Sequence, residues 1–359
     1  MPPSDTHSSG SRFPAKWDGG GGDGTGRTID TLEAEAFGPL GEAPLCLVDL
    51  NEPGAVERAA HLSAMTQAVV VGIDPQGKLP RIDSAPFDAL FTAAPEASRP
   101  WVSIEPGRWD ARLAAIADTV RAAPAASSIA MRVLRIGENL AFEDALQLES
   151  LAYSTLLGGG EFRRWRAERA ASDTLTIPAD PVEIMREGDT VTIALASPET
   201  RNAMSAAMRD ALFTALAAVL DDPTAPHMRL TGQGACFSTG GDLPEFGTAG
   251  DLALAHAIRS ARSCAALLHR LGDRAKAVLH GACIGSGIEI PAAAARRIGR
   301  RGAFFQLPEL TMGLIPGAGG TVTLPRAIGR HRTAAMILTA KRVDAKTALD
   351  WGLLTGLEP

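Results

Sequence analysis

The chain has 359 residues, with 35 basic and 41 acidic side chains and a formal net charge of −6. That mild acidity, without a basic stripe, argues against a nucleic-acid partner, and no run of eighteen apolar residues is present that could span a membrane. Hydrophobic residues make up 45% of the chain, enough for a sizeable core, and the length predicts about two domains.

Residues 1–30 are dominated by Ser, Gly and Pro and cannot bury enough apolar surface to offset their ordering entropy, so disorder is expected there. They lack the charged-then-apolar pattern of a secretory signal. Cys46, Cys236, Cys264 and Cys283 show no paired spacing. Both features predict a cytoplasmic protein with reduced thiols. His280 and Cys283 are too few for a zinc site, so no metal is expected.

A first globular segment is expected over 40–172. LCLVDL (45–50) and AVVVGID (68–74) are short, apolar and β-branched, as buried parallel strands are. Between them, residues 53–65 repeat apolar side chains at helical spacing. This predicts a βαβ unit, without a glycine-rich phosphate loop. Residues 101–172 then run as successive amphipathic helices broken at Pro124, Gly137 and Gly158–Gly160. The stretch TLTIPADPVE (174–183), with two prolines, is the expected junction to a second segment, 182–359.

The chemistry is expected in that second segment. In LTGQGACFSTGGDLPEF (230–246), Gly240 and Gly241 open a tight turn. In HGACIGSGIEIP (280–291), glycines bracket Ser286 just before Glu289. In QLPELTMGLIPGAGGT (306–321), Glu309 precedes a second glycine cluster. Glycines beside an acid let a ligand approach backbone N–H groups. Helix N-termini leave such groups unpaired. If Gly241 and Ser286 face each other, their N–H groups can hold one developing oxyanion, and losing such a donor costs on the order of a hundredfold in rate. Taken singly, either turn could equally be a tight-packing or anion-binding turn.

In this order and spacing the motifs resemble the crotonase (enoyl-CoA hydratase/isomerase) superfamily across 182–357. VTIALASPETRNAMSAAMRDALFTAL (191–216) resembles its opening strand and CoA-contacting turn, which would make Arg201, Asn202 and Ala203 contacts to CoA. The resemblance implies an α/β fold, a spiral of ββα repeats preceded here by an N-terminal α/β and helical region. It implies Gly241 and Ser286 as oxyanion donors and Glu289 and Glu309 as catalytic glutamates. The expected substrate is an acyl-CoA, with no cofactor beyond that CoA, and the expected assembly is a homotrimer or hexamer. Two glutamates favour hydration of a 2-enoyl-CoA. Double-bond isomerisation, which usually needs only the acid at 309, and non-catalytic acyl-CoA binding remain alternatives.

Two departures from the family pattern stand out. Hydratases usually carry an aspartate six residues after the first glutamate, where this chain has Ala295, followed by Arg296 and Arg297. The stretch 291–301 is expected as a helix with both arginines solvated or at an interface. Residues 101–172 resemble the C-terminal helical tail of a crotonase, although they precede the core. They are expected to cover an apolar face of their own or a neighbouring core. Residues 246–264 are expected to lie over the acyl group.

Overall fold

The computed structural model describes residues 33–169 and 180–358. The expectation of disorder over 1–30, and most of the 174–183 junction, lie outside those residues. In the front segment β1 (Leu45–Asp49), α1 (Ala55–Met65) and β2 (Val69–Asp74) form the expected βαβ unit. The sheet is larger than predicted, because β3 (Ala89–Thr92) and β4 (Val102–Ser103) extend it in parallel in the order β1-β2-β3-β4. All six residues of β2 are buried, as a central parallel strand requires.

Four helices follow: α2 (Trp109–Ala122), α3 (Pro124–Gly137), α4 (Phe142–Leu157) and α5 (Gly160–Glu168). Pro124 opens α3 at a position where its missing N–H costs nothing. The breaks fall where the sequence places them.

The second segment begins with the antiparallel pair β5 (Val182–Glu187) and β6 (Thr190–Leu195). It continues through α6 (Ala206–Asp221), β7 (His227–Gly232), α7 (Leu252–Ala261) and α8 (Cys264–Leu271). Next come β8 (Ala275–Leu279), β9 (Ala282–Ile284), α9 (Ser286–Glu289), β10 (Arg296–Arg300) and β11 (Phe304–Gln306). The last elements are α10 (Gly320–Ile328), α11 (Arg330–Thr339), β12 (Val343–Asp344), α12 (Ala345–Trp351) and β13 (Gly356–Glu358). A six-stranded sheet runs β13-β10-β8-β7-β6-β5, and a three-stranded sheet runs β12-β11-β9. Two turns of the spiral put one strand in the large sheet, the next in the small sheet, and a helix after them: β8-β9-α9, then β10-β11-α10. This is the ββα spiral.

The helix expected over 291–301 is not there. A short 3-10 turn at Pro291–Ala293 gives way to extended backbone at Ala294, and Arg296–Arg300 becomes β10 between β8 and β13. Sheet completion overrides the helical preference of the alanine run. Arg297 is not a solvated charge either. Its guanidinium donates to the carbonyls of Leu353 (2.7 Å), Ala294 (2.6 Å) and Gly352 (3.2 Å), clamping the chain before β13. Arg296 is exposed.

The two segments share one core. A single apolar cluster joins Val71, Ile116 and Leu134 of the front to Ile193, Phe305 and Leu338 of the spiral. The front helices cover their own spiral, α3 and α4 against α10 and α4 against α7. Helix α11 reaches the front sheet, where Arg330 donates to Phe87 O (2.6 Å) and Ala85 O (2.8 Å).

Candidate active site

Parallel pairing gathers the three glycine turns. Strand β9 pairs with β11 in the register Cys283↔Phe305 and Ile284↔Gln306, and Ser238 bridges to Cys283 on the other side. The chain leaving each strand emerges at the same edge, so the turns at 240–241, 285–286 and 307–309 are neighbours. Glu289, at the end of α9, and Glu309, just past β11, meet there. A Cβ placed on Gly285 would stand 2.8 Å from Glu309 Oε1 and 3.7 Å from Glu289 Oε1. The two carboxyls thus face one point, and Gly285, at φ +51°, leaves that point open.

Gly241 and Ser286 border the same space. Gly240 O accepts from Met204 N (2.7 Å), and Asp242 N donates to Met204 O (3.3 Å), which leaves the Gly241 N–H between them turned away from Met204. Ser286 is the first residue of α9, so its N–H has no helical acceptor. Among the described residues neither N–H donates to a protein acceptor.

The two acids differ in their partners. Glu289 Oε2 accepts from Ala318 N (2.7 Å) and Gly320 N (3.0 Å), while Glu309 Oε2 is buried without a protein partner among the described residues. Both are nearly inaccessible, at 2% and 6% exposure. Burial pushes Glu309 up to about 8, with the nearby Glu149 adding to the rise. Glu289 is raised well above the carboxylate range by burial, then by Glu309 and Glu149, against the pull of the two amides. Like charges in one dry cavity resist ionising together, so the pair favours states in which at least one carboxyl keeps its proton. A carboxyl pair of this kind can supply a base and an acid side by side.

These groups line a cavity of about 440 Å³. Leu243, Phe246, Ile290, Met312 and Ile315 give it an apolar lining, and α7 contributes Arg259. The 246–264 segment thus forms part of the wall. The turn at Arg201, Asn202 and Ala203 does not line it. Asn202 is fully buried: its Oδ1 accepts from Ser197 N (2.9 Å), and its Nδ2 donates to the carbonyls of Gln233, Cys236 and Phe237 at 2.9, 3.2 and 3.0 Å. Its side chain ties the loops together and has nothing left for a ligand. Arg201 is exposed.

Sequence reasoning missed the wall supplied by α4. Glu149 and Tyr153, one helical turn apart and so on one face, both border the cavity. Glu149 accepts from Gly319 N (2.7 Å), Thr321 N (2.7 Å) and Thr321 Oγ1 (2.7 Å). Burial pushes it up to about 7, opposed by those donors and by Arg259. Tyr153 is the only tyrosine of the chain. The guanidinium of Arg259 lies 4.8 Å from its ring centroid, and burial raises the phenol further above its ordinary value. The signal in the sequence is the LESLAYST stretch, but nothing local says which of its residues point inward.

The model of the family described as enoyl-CoA hydratase/isomerase matches residues 186–359, which include all four turns and both glutamates. Residues 186–359 belong to that family. YngF of Bacillus subtilis, named as an enoyl-CoA hydratase/isomerase, is 34% identical over 163 residues, covering 45% of this chain and 63% of that protein. An Arabidopsis thaliana protein named as mitochondrial enoyl-CoA hydratase 2 is 30% identical over 189 residues, covering 50% and 63%. The solved enoyl-CoA hydratase of Thermoplasma volcanium shares 31% identity over 50% of this chain and 72% of its own, with a TM-score of 0.46. The chain thus spans 63% of the length of both curated relatives. The front segment lies outside the family match.

Proposed function

We propose that this family member adds water across the 2,3-double bond of a 2-enoyl-CoA thioester. The observation that carries the reading is the convergence of two buried carboxyls on one point bordered by two unpaired backbone N–H groups. The thioester oxygen would accept from Gly241 and Ser286, whose fixed dipoles favour the enolate-like charge that develops there. A water between Glu289 and Glu309 would lose a proton to the ionised member as its oxygen attacks C3, and the protonated member would deliver a proton to C2. Atoms balance, and no cofactor beyond the substrate's own CoA is required. In this reading the exposed Arg201 would meet CoA outside the cavity, and the active unit would be a homo-oligomer.

The test follows loss of the conjugated thioester absorbance with short and bulky 2-enoyl-CoAs. Glu289→Gln and Glu309→Gln are each expected to lower kcat by about a hundredfold or more. If only Glu309→Gln abolishes turnover, and the product is a shifted double bond, the chain is an isomerase. CoA esters that bind without reacting would make it an acyl-CoA binder.

A further inference from the structure

The four amides entering α10 alternate between two carboxylates. Ala318 and Gly320 donate to Glu289, while Gly319 and Thr321 donate to Glu149. The loop is thus held between an acid of the spiral and an acid of the front segment, which the family match does not cover. Space enforces the arrangement. A Cβ at Gly320 would lie 2.7 Å from Glu289 Cγ, and one at Gly317 would lie 2.5 Å from the Tyr153 ring. A side chain at either position would therefore have to displace Glu289 or the Tyr153 ring.

Among the described residues, no other acceptor holds the Gly319 and Thr321 amides. Without Glu149, two backbone N–H groups and the Thr321 hydroxyl would be buried and unpaired, and such groups turn to find other acceptors. The acceptor within reach is Glu289, whose Oε2 already takes the intervening amides. Rotation of those amides would alter both the orientation of Glu289 and the number of donors it receives.

We propose that Glu149, delivered by helix α4 of the front segment, is a positioning residue that aims the 318–321 amides and so sets the orientation and proton affinity of Glu289. The site is therefore composite: the spiral supplies the groups that react, and the front helix supplies the group that holds one of them in place. The charged and titratable groups facing Glu149 are Arg259 from α7, Tyr153 from α4 itself, Glu289 from α9, and Glu309 from the 3-10 turn after β11. The sole cation of this set is Arg259, whose guanidinium reaches Ser150 Oγ (3.1 Å) and Ser154 Oγ (2.6 Å) on α4 rather than a carboxylate. Removing the charge of Glu149 relieves repulsion on Glu289.

The inference rests on the hydration reading for its kinetics but not for its direct readout. Glu149→Gln keeps the volume and one acceptor while removing the charge. In the hydration assay it is expected to lower kcat by about a hundredfold while KM changes little, and to move the pH profile of kcat/KM to lower pH. Glu149→Asp, which retains the charge, should restore part of kcat and most of the profile. Unchanged kcat and profile in the folded Gln variant would reduce Glu149 to a cap on α10 and overturn the proposal.

Carbon-13 NMR of protein labelled at the glutamate carboxyls gives a readout that needs no turnover, with Glu289→Gln assigning the resonance. The midpoint for Glu289 is expected to fall in Glu149→Gln. An upward move or an unmoved midpoint would overturn the proposal. Should the Gln variant fail to fold, Thr321→Val removes one of the three bonds to Glu149 and is expected to move the same midpoint by less. A wild-type protein inactive on every enoyl-CoA would sink the hydration reading while leaving the NMR test intact.

Discussion

Glu309 shows how a buried carboxyl weakens the fold that holds it. Its proton affinity is raised by burial to about 8, whereas in the unfolded chain it titrates in the ordinary carboxylate range. Between those values the folded state holds a proton that the unfolded state has released, so stability falls as pH rises through that window. Below the window the group contributes no such loss. Glu309→Gln cannot ionise and should therefore be more stable than the wild type. The advantage should be small near pH 5, grow toward pH 8 and level off above it. An advantage on the order of a few kcal/mol, or several degrees in Tm, is expected at pH 8.5. Thermal melts at pH 5.5 and 8.5 check this; equal melting temperatures at both would mean that Glu309 is not buried as described.

Among the elements, the loop from Ser197 to Ala203 joins β6 to α6 by turning through two residues at positive φ, Arg201 at +55° and Asn202 at +52°. Asparagine tolerates that conformation better than most residues. Its side chain then bonds four backbone groups, three of them on the chain that runs from β7 to Gly240 and Gly241. The turn at Gly240 and Gly241 is thus braced by the residue expected to touch CoA. Asn202→Ala leaves those groups buried and unpaired and is expected to cost about 2–4 kcal/mol. Chemical denaturation measures the loss. A variant as stable as the wild type would mean that the loops close without this side chain.

At the scale of the molecule, the front segment and the spiral are one folded body. Helix α11 belongs to the spiral by sequence, yet its buried Arg330 donates to front-segment carbonyls and pairs with Glu138 at 2.9 Å. Arg330→Met keeps most of the packing but strips those donors from buried carbonyls. It is expected to lower stability by about 2–3 kcal/mol and, by loosening α4 against α10, to lower turnover as well. Denaturation and the hydration assay on one preparation test both. Lost stability with unchanged kcat in the folded fraction would mean that the front helices do not hold the site.

Much of the site is legible in the sequence, because the features concerned are local. Glycines must stand where a backbone turns at positive φ or a carboxyl crowds it, so the turns around Gly241, Ser286 and Glu309 announce themselves in one dimension. The βαβ unit and the helix breaks are legible for the same reason, since periodicity and proline act over a few residues. Every choice made by distant partners is left open. The stretch Arg296–Arg300 after the alanine run became a strand because it fills the place between β8 and β13. Asn202 turned inward because three carbonyls on another loop required a donor. Glu149 became a neighbour of Glu289 only because α4, far upstream in the chain, packs on α10. Local turns and the candidate acids beside them were thus determined by the sequence alone, whereas the composite wall and the proton affinities it imposes were decided by tertiary packing, because burial and like charge act through space.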